Sequence, residues 1–135
     1  MSNTTPLPEF VIDTVGLVLH LEKRKLEPAT QTILQEAESG QATVFIPAMV
    51  FAEILYLSEK QKINTSLAEV VDYSTRYHGF IEYPLDLAVI LAAQQITDIP
   101  ELHDRLIAAT AKVVGAKLIT NDLKIQASSF VQTIW

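Results

Sequence analysis

Four acidic residues, Asp13, Glu53, Asp104 and Asp122, each stand where an apolar strand-like run gives way to a helix-like one. In a parallel α/β sheet the carboxyl ends of all strands open onto one crevice, so residues at such junctions can converge there. Carboxylates crowded together repel one another, which raises some of their pKa values unless cations intervene. An oxygen-only donor set suits Mg²⁺ or Mn²⁺, hard ions that keep several waters and also accept phosphate oxygens. The matching chemistry is metal-assisted hydrolysis of a phosphodiester, which activates a bound water and stabilises the leaving oxygen without any protein nucleophile.

Taken singly, three of the acids have a simpler explanation. Asp13, Asp104 and Asp122 each sit at the start of a helical pattern, where Asp is a preferred N-cap. Glu53 has no such role, because the second turn of a helix needs no capping acid. Its neighbours Val50, Phe51, Ile54 and Leu55 place it near apolar surface, where an unpaired charge is costly. Three junction acids and one half-buried glutamate at one end of a sheet are better explained as one site.

The elements that must position these residues alternate along the chain. Pro6 and Pro8 punctuate a flexible tail over residues 1–8, and residues 9–135 read as a single domain. Residues 10–12 form a short strand, followed by a helix through Leu17, Leu19 and Leu21. Pro28 opens a second helix with Ile33, Leu34 and Ala37 at helical spacing and Gly40 just past its end. Residues 44–46 make the next strand. Pro47 suits the first turn of a helix whose apolar face is Met49, Val50, Ile54 and Leu57. Ser66 and Glu69 form a capping-box pattern that starts a helix with Leu67, Val70 and Val71 inward. Residues 80–83 are a weaker strand, and a helix over about 86–95 presents Leu87, Ile90 and Leu91 on one face. A helix over 104–114 closed by Gly115, a strand over 117–120, and a short helix after Asn121 and Asp122 complete the pattern before residues 131–135. Such alternation implies right-handed crossovers and predicts an α/β fold: a three-layer α/β/α sandwich with a mostly parallel central sheet of about five strands.

With 135 residues, 49% apolar, the chain is long enough for one real core. Its apolar stretches, such as residues 87–93, are too short to span a bilayer, and residues 1–8 lack a basic start followed by an apolar run, so a cytoplasmic protein is expected. The absence of cysteine excludes disulfides, thiolate zinc sites and a cysteine nucleophile, and leaves oxygen or histidine as metal ligands. A net charge of −6 argues against a broad basic surface that grips nucleic acid nonspecifically. Divalent cations among the acids would reverse the sign of the local field. The four isolated glycines make neither a P-loop nor a dinucleotide fingerprint, and no serine sits in a nucleophile-elbow context. Tyr73, Tyr77 and Phe80 read as core residues. Lys23, Arg24 and Lys25 read as a complement to the first helix's C-terminal dipole. Gly16, inside that helix, costs roughly 1 kcal/mol relative to alanine.

The run from Pro100 and Glu101 through His103, Asp104 and Arg105 to Ala111, followed by Gly115, Lys117, Leu118, Ile119, Thr120, Asn121 and Asp122, resembles the third and fourth acidic motifs of PIN-domain nucleases, especially VapC-type toxins. Val11, Ile12, Asp13 and Thr14 with Leu17 resemble that family's opening motif. Ile46, Pro47 and Ala48, then Glu53 with Leu55 and Leu57, resemble the second. The resemblance implies a Mg²⁺- or Mn²⁺-dependent endoribonuclease, often dimeric and often held inactive by a small antitoxin encoded beside it. RNA, an antitoxin and a second copy of the chain are therefore the expected partners, with no membrane. Asp13, Glu53, Asp104 and Asp122 fall on the family's metal-binding acids, and Thr120 would orient water or a ligand, with Thr14 in support. Many relatives have Arg where Asn121 stands, and Gln126 stands where some carry another polar or acidic residue. Arg105 and Lys124, close in sequence to Asp104 and Asp122, are candidates for phosphate contacts or for solvated charges. The His103 and Asp104 pair is also similar to that of HD phosphohydrolases, but those domains are all-helical and use further histidines, whereas His20 and His78 have no supporting pattern. Two alternatives stand beside the toxin: a PIN-fold interaction module with weak or no hydrolysis, and a nuclease for RNA processing or DNA.

Overall fold

The computed structural model describes residues 6–135. Of the tail expected over residues 1–8, residues 1–5 lie outside the described residues, and 6–8 run exposed and without regular structure into the first strand. Five strands follow: β1 (Glu9–Ile12), β2 (Thr43–Pro47), β3 (Phe80–Tyr83), β4 (Lys117–Ile119) and β5 (Thr133–Ile134). They form one sheet in the order β3-β2-β1-β4-β5, and every pairing is parallel. The helices are α1 (Thr14–Leu21), α2 (Pro28–Glu38), α3 (Ala48–Glu59), α4 (Leu67–Arg76), α5 (Leu87–Gln95), α6 (Leu102–Val114) and α7 (Leu123–Gln126). The α/β fold and five-stranded parallel sheet expected from the sequence are both present.

The strand order explains where a site must form. From β1 the chain winds outward through β2 to β3, then returns to the other side of β1 for β4 and β5. The boundary between β1 and β4 is therefore a topological switch point, where the connections diverge and a crevice opens at the carboxyl ends. Register across this boundary places Ile12 opposite Ile119, and the Asp13 N–H donates to the Ile119 carbonyl at 3.2 Å. The chain thus leaves β1 at Asp13 and β4 just before Asp122, side by side. Val11, Ile12, Leu118 and Ile119 are fully buried, so these central strands show a continuous apolar run in place of alternation.

Local signals place the helices. Ser66 and Glu69 close the expected capping box at the start of α4, Pro28 occupies the first turn of α2, and Gly115 ends α6 in the left-handed conformation. Packing departs from the sequence expectation at three places. Pro47 does not enter the helix: it ends β2 in register with Tyr83 and caps α3 in extended conformation, a position that needs no N–H donor. Val71 faces solvent while Val70 is fully buried, because successive helical residues point about 100° apart. Asp104 does not follow a strand. Helix α6 comes after α5, and its N-cap is Glu101, whose side chain accepts from the Asp104 N–H at 2.8 Å.

Candidate functional site

Asp13 is the N-cap of α1, and its Oδ1 accepts from the Gly16 N–H at 2.8 Å. The fully buried Thr120 also hydrogen-bonds its carboxyl group through the side chain. A Cβ at residue 16 would lie 3.1 Å from Asp13 Oδ1 and 3.2 Å from Ile12 Cγ1. The glycine that looks unfavourable in the helix is therefore the one that leaves room for this carboxylate. Thr120 works in both directions, because its Oγ1 also accepts from the Asp122 N–H at 3.1 Å. Its carbonyl accepts from Gln126 Nε2 at 3.0 Å. Asp122 in turn caps α7, with Oδ1 accepting from the N–H groups of Lys124 and Ile125 at 2.9 and 3.0 Å.

Glu53 enters from α3 and Asp104 from the first turn of α6. The Thr14 hydroxyl donates to Glu53 Oε1 at 2.5 Å, tying α3 to the N-terminus of α1. His103 Nδ1 lies 3.8 Å from Glu53 Oε2 and 3.2 Å from Glu101 Oε2. All four acids line one cleft of about 170 Å³, joined by Thr14 and Asn121 and floored by apolar side chains that include Ile107 and Ile125. No lysine or arginine is part of that lining.

Unneutralised crowding shows in the acidities. Burial pushes the Asp13 carboxyl up to about 6; the Thr120 and Gly16 hydrogen bonds oppose this, and the charges of Asp122 and Asp104 add to it. Asp104 is likewise pushed up to about 6, first by burial, then by the neighbouring charges of Glu101, Asp122 and Glu53, with His103 in opposition. Both acids favour a nearby cation. Among the described residues, however, no three carboxyl or imidazole groups are gathered tightly enough to chelate a bare ion. Asp13 and Asp122 each commit an oxygen to a helix cap, and Thr14 holds one oxygen of Glu53. The set therefore fits a hard divalent cation that keeps part of its water shell and reaches some carboxylates through it.

The four predicted acids and Thr14 come together, and Thr120, buried outside the cleft lining, contacts Asp13 and the Asp122 backbone. Lys124 is exposed on α7 at the edge of the site. Arg105 goes elsewhere: it lines a groove between α5 and α6 with Ile90, Leu91 and Leu102, and its Nε is buried with no hydrogen-bond partner among the described residues. Adjacency to Asp104 in sequence is what turns it away, since neighbours on a helix do not share a face. His103 and Glu101, which flank Glu53 and Asp104, were not expected at the site. The available signal for Glu101 was its spacing, an acid after Pro100 and three residues before Asp104, as an N-cap requires.

A family model described as PIN domain matches residues 10–130. No curated protein matches the chain by sequence. Among solved structures, the fold is similar to a chain of VapBC2 from Rickettsia felis, solved bound to a DNA fragment from its promoter, with TM-score 0.72 and 18% identity over 94% of this chain and 98% of that one. It is similar to a chain of DNA-bound VapBC from Salmonella typhimurium, with TM-score 0.68 and 15% identity over 95% and 98%. A toxin-antitoxin complex from Klebsiella pneumoniae gives TM-score 0.64 and 16% identity over 93% and 95%.

Proposed function

Because this chain belongs to the PIN domain family, a family of nucleases, we propose that it is an endoribonuclease that hydrolyses RNA phosphodiester bonds with Mg²⁺ or Mn²⁺. We further propose that it is the toxin of a toxin–antitoxin pair, with residues 9–135 as one nuclease domain. The observation that carries the nuclease reading is the convergence of Asp13, Glu53, Asp104 and Asp122 on a cleft with no cationic side chain, at the switch point of a parallel sheet. A bound divalent ion there would supply an activated water and a counter-charge for the leaving oxygen.

The chain's own residues divide the remaining work. Asp13, Asp104 and Asp122 would hold the ion, directly or through water. Glu53, fixed by Thr14, would bind the ion or orient the attacking water. Thr120 is a positioning residue, because it anchors the Asp13 carboxyl group and the Asp122 backbone together. Asn121 lines the cleft as a neutral donor and acceptor toward the substrate. Lys124 is the candidate phosphate contact at the edge of the cleft, whereas Arg105 belongs to the α5 and α6 groove.

Two partners are part of the proposal. The similarity to chains from toxin–antitoxin complexes supports a small antitoxin. The apolar recess lined by Met49, Tyr56 and His103, which shares Glu53 and Leu57 with the cleft, offers it a foothold. A second copy of the chain is expected on the exposed apolar face of α5. No helix among the described residues is long and apolar enough to cross a membrane.

The deciding experiment is cleavage of labelled RNA and DNA by purified protein with Mn²⁺, with EDTA and Asp104→Asn as controls. RNA cleavage that both controls abolish is the expected result. An Asp104→Asn protein that cleaves normally overturns the assignment. The acidic net charge favours one rival, an interaction module. Absence of cleavage by folded, Mn²⁺-loaded protein would establish that rival. Growth arrest on expression, relieved by the neighbouring small gene, separates a toxin from a housekeeping nuclease.

A further inference from the structure

The cleft of acids is not the roomiest cavity in the molecule. A pocket of about 500 Å³ opens between the ends of α1, α2 and α4, within the range of about 300–1,000 Å³ usual for small-molecule sites. Helix α1 separates the two: it starts at the acid cleft and its 8 residues carry the chain about 12 Å away. The floor is a closed polar cluster. Tyr73 donates its hydroxyl proton to Glu38 Oε2, and His20 Nε2 lies 3.0 Å from that oxygen and 2.8 Å from the Tyr73 hydroxyl. Glu38, the one carboxylate among the lining residues, is thereby already engaged.

The walls have the opposite character. Lys23, Arg24 and Arg76 line the pocket together with the carboxamides of Gln31 and Gln35 and the ring of Tyr77. Three of the chain's ten basic residues thus share one pocket whose lining holds a single carboxylate, in a molecule of net charge −6. Helix dipoles account for a cation at the end of α1 and another at the end of α4. They do not account for the cavity or for the paired carboxamides. Existing partners hold the guanidiniums weakly: Arg76 pairs with Asp72 in an exposed bridge, and Arg24 lies 3.9 Å from Glu22. Glu22 itself is occupied by Asn64 and Thr65. The Arg76–Asp72 pair is exposed on both sides, and such pairs contribute about 0–1 kcal/mol, so an incoming phosphate displaces Asp72 at little cost.

We propose that this basic pocket binds a nucleoside monophosphate, at a site separate from the acid cleft. The planar guanidiniums of Arg24 and Arg76 suit bidentate contact with phosphate oxygens, and Lys23 adds a point charge. Gln31 and Gln35 supply the donor and acceptor pairs that read a base edge, and Tyr77 offers a ring against which a base packs.

Isothermal titration of the full chain in EDTA, with 5′-AMP, inorganic phosphate and adenosine in separate arms, tests the proposal. Saturable AMP binding is expected, tighter than phosphate or adenosine alone. Arg24→Gln and Arg76→Gln should each weaken it roughly tenfold or more, as loss of a charged hydrogen bond does, while Asp104→Asn leaves it unchanged. Both arginines are mostly exposed, so these variants should keep the fold, with circular dichroism as the check. No saturable AMP binding at roughly millimolar concentration, or binding that survives the double arginine substitution, overturns the proposal. Phosphate competition against AMP on the unmodified protein is a test that needs no variant, and lack of competition also overturns it. None of these readouts depends on cleavage, so the nuclease assignment stands or falls separately.

Discussion

Asp122 serves the fold and the proposed chemistry with different properties of one side chain. Its Oδ1 caps α7 by accepting two backbone N–H bonds, which any side-chain oxygen can do, whereas holding a cation needs the charge. Asp122→Asn should therefore abolish cleavage and leave stability near wild type, while Asp122→Ala should abolish cleavage and also lose roughly 1 kcal/mol of stability with the cap. Urea unfolding beside the cleavage assay distinguishes them; cleavage by either variant removes Asp122 from the mechanism. Asp104 makes a second prediction. Its carboxyl and that of Asp13 are raised from 3.8 to about 6 in the fold, so between those values the folded state holds more protons than the unfolded chain. Relative to strongly acidic solution, stability from these two groups falls as pH rises through about 6 and then levels off. Thermal unfolding in EDTA should show Asp104→Asn more stable than wild type near pH 8, with a shallower fall between about pH 4 and 7. On the proposed mechanism Mn²⁺ would bind only the ionised acids, so it should raise the wild-type midpoint more at about pH 8 than at about pH 5. An equal Mn²⁺ shift at both would place the ion outside this cluster.

At the scale of elements, α1 shows how a helix is compromised for a site. Alanine in place of Gly16 gains roughly 1 kcal/mol of helix propensity, but its Cβ would crowd Asp13 Oδ1 and Ile12. Gly16→Ala should keep overall stability within about 1 kcal/mol of wild type yet lower cleavage, because the displaced group is the carboxylate. Equal activity would show that Asp13 tolerates a shift. Gly79 is a contrast, since a Cβ there would lie 2.1 Å from the Ala37 carbonyl oxygen. That contact is with backbone, which cannot swing away, so Gly79→Ala should cost roughly 2 kcal/mol or more in urea unfolding with little specific effect on the site. Apolar runs, prolines and capping patterns mark four of the five strands and most helix boundaries, whereas the two-residue β5 lies within residues 131–135, which carry no pattern long enough to assign an element. Helix α6 was the instructive exception: Asp104 and Glu101 can both serve as caps, and only the backbone conformation at Glu101 decides between them. Asp13, Asp104 and Asp122 are legible because they lie at or near element boundaries that topology brings together, and Glu53 is legible because an acid in the second turn of the otherwise apolar α3 has no capping role. The roles of His103 and Arg105 are not, since the direction of a side chain around a helix depends on which face packs.

For the whole molecule, that question of facing is sharpest at α5. Leu87, Ile90 and Leu91 share a face as the spacing predicts, and that face is open: together with Leu102 they are between 48% and 67% exposed. Val89 and Ala93 supply the buried side instead. Exposed apolar residues scattered singly need no explanation, but a contiguous group on adjoining helices marks an interaction surface. A two-fold dimer would use this patch from both copies at once. Completing the burial of four half-exposed Leu or Ile side chains on each copy contributes on the order of 8 kcal/mol, near the lower range of the cost of association. The expected dimer is therefore concentration-dependent and sensitive to one charge at its centre. Leu91→Glu places a carboxylate opposite its own copy across the axis, in a molecule already at −6, so it should convert the dimer to monomer in light scattering at micromolar concentration. Leu55→Glu, an equally conservative change at an exposed position on α3, should leave the mass unchanged. A wild-type chain that is monomeric throughout this range, or a Leu91→Glu chain that still dimerises, would assign the α5 face to some other partner.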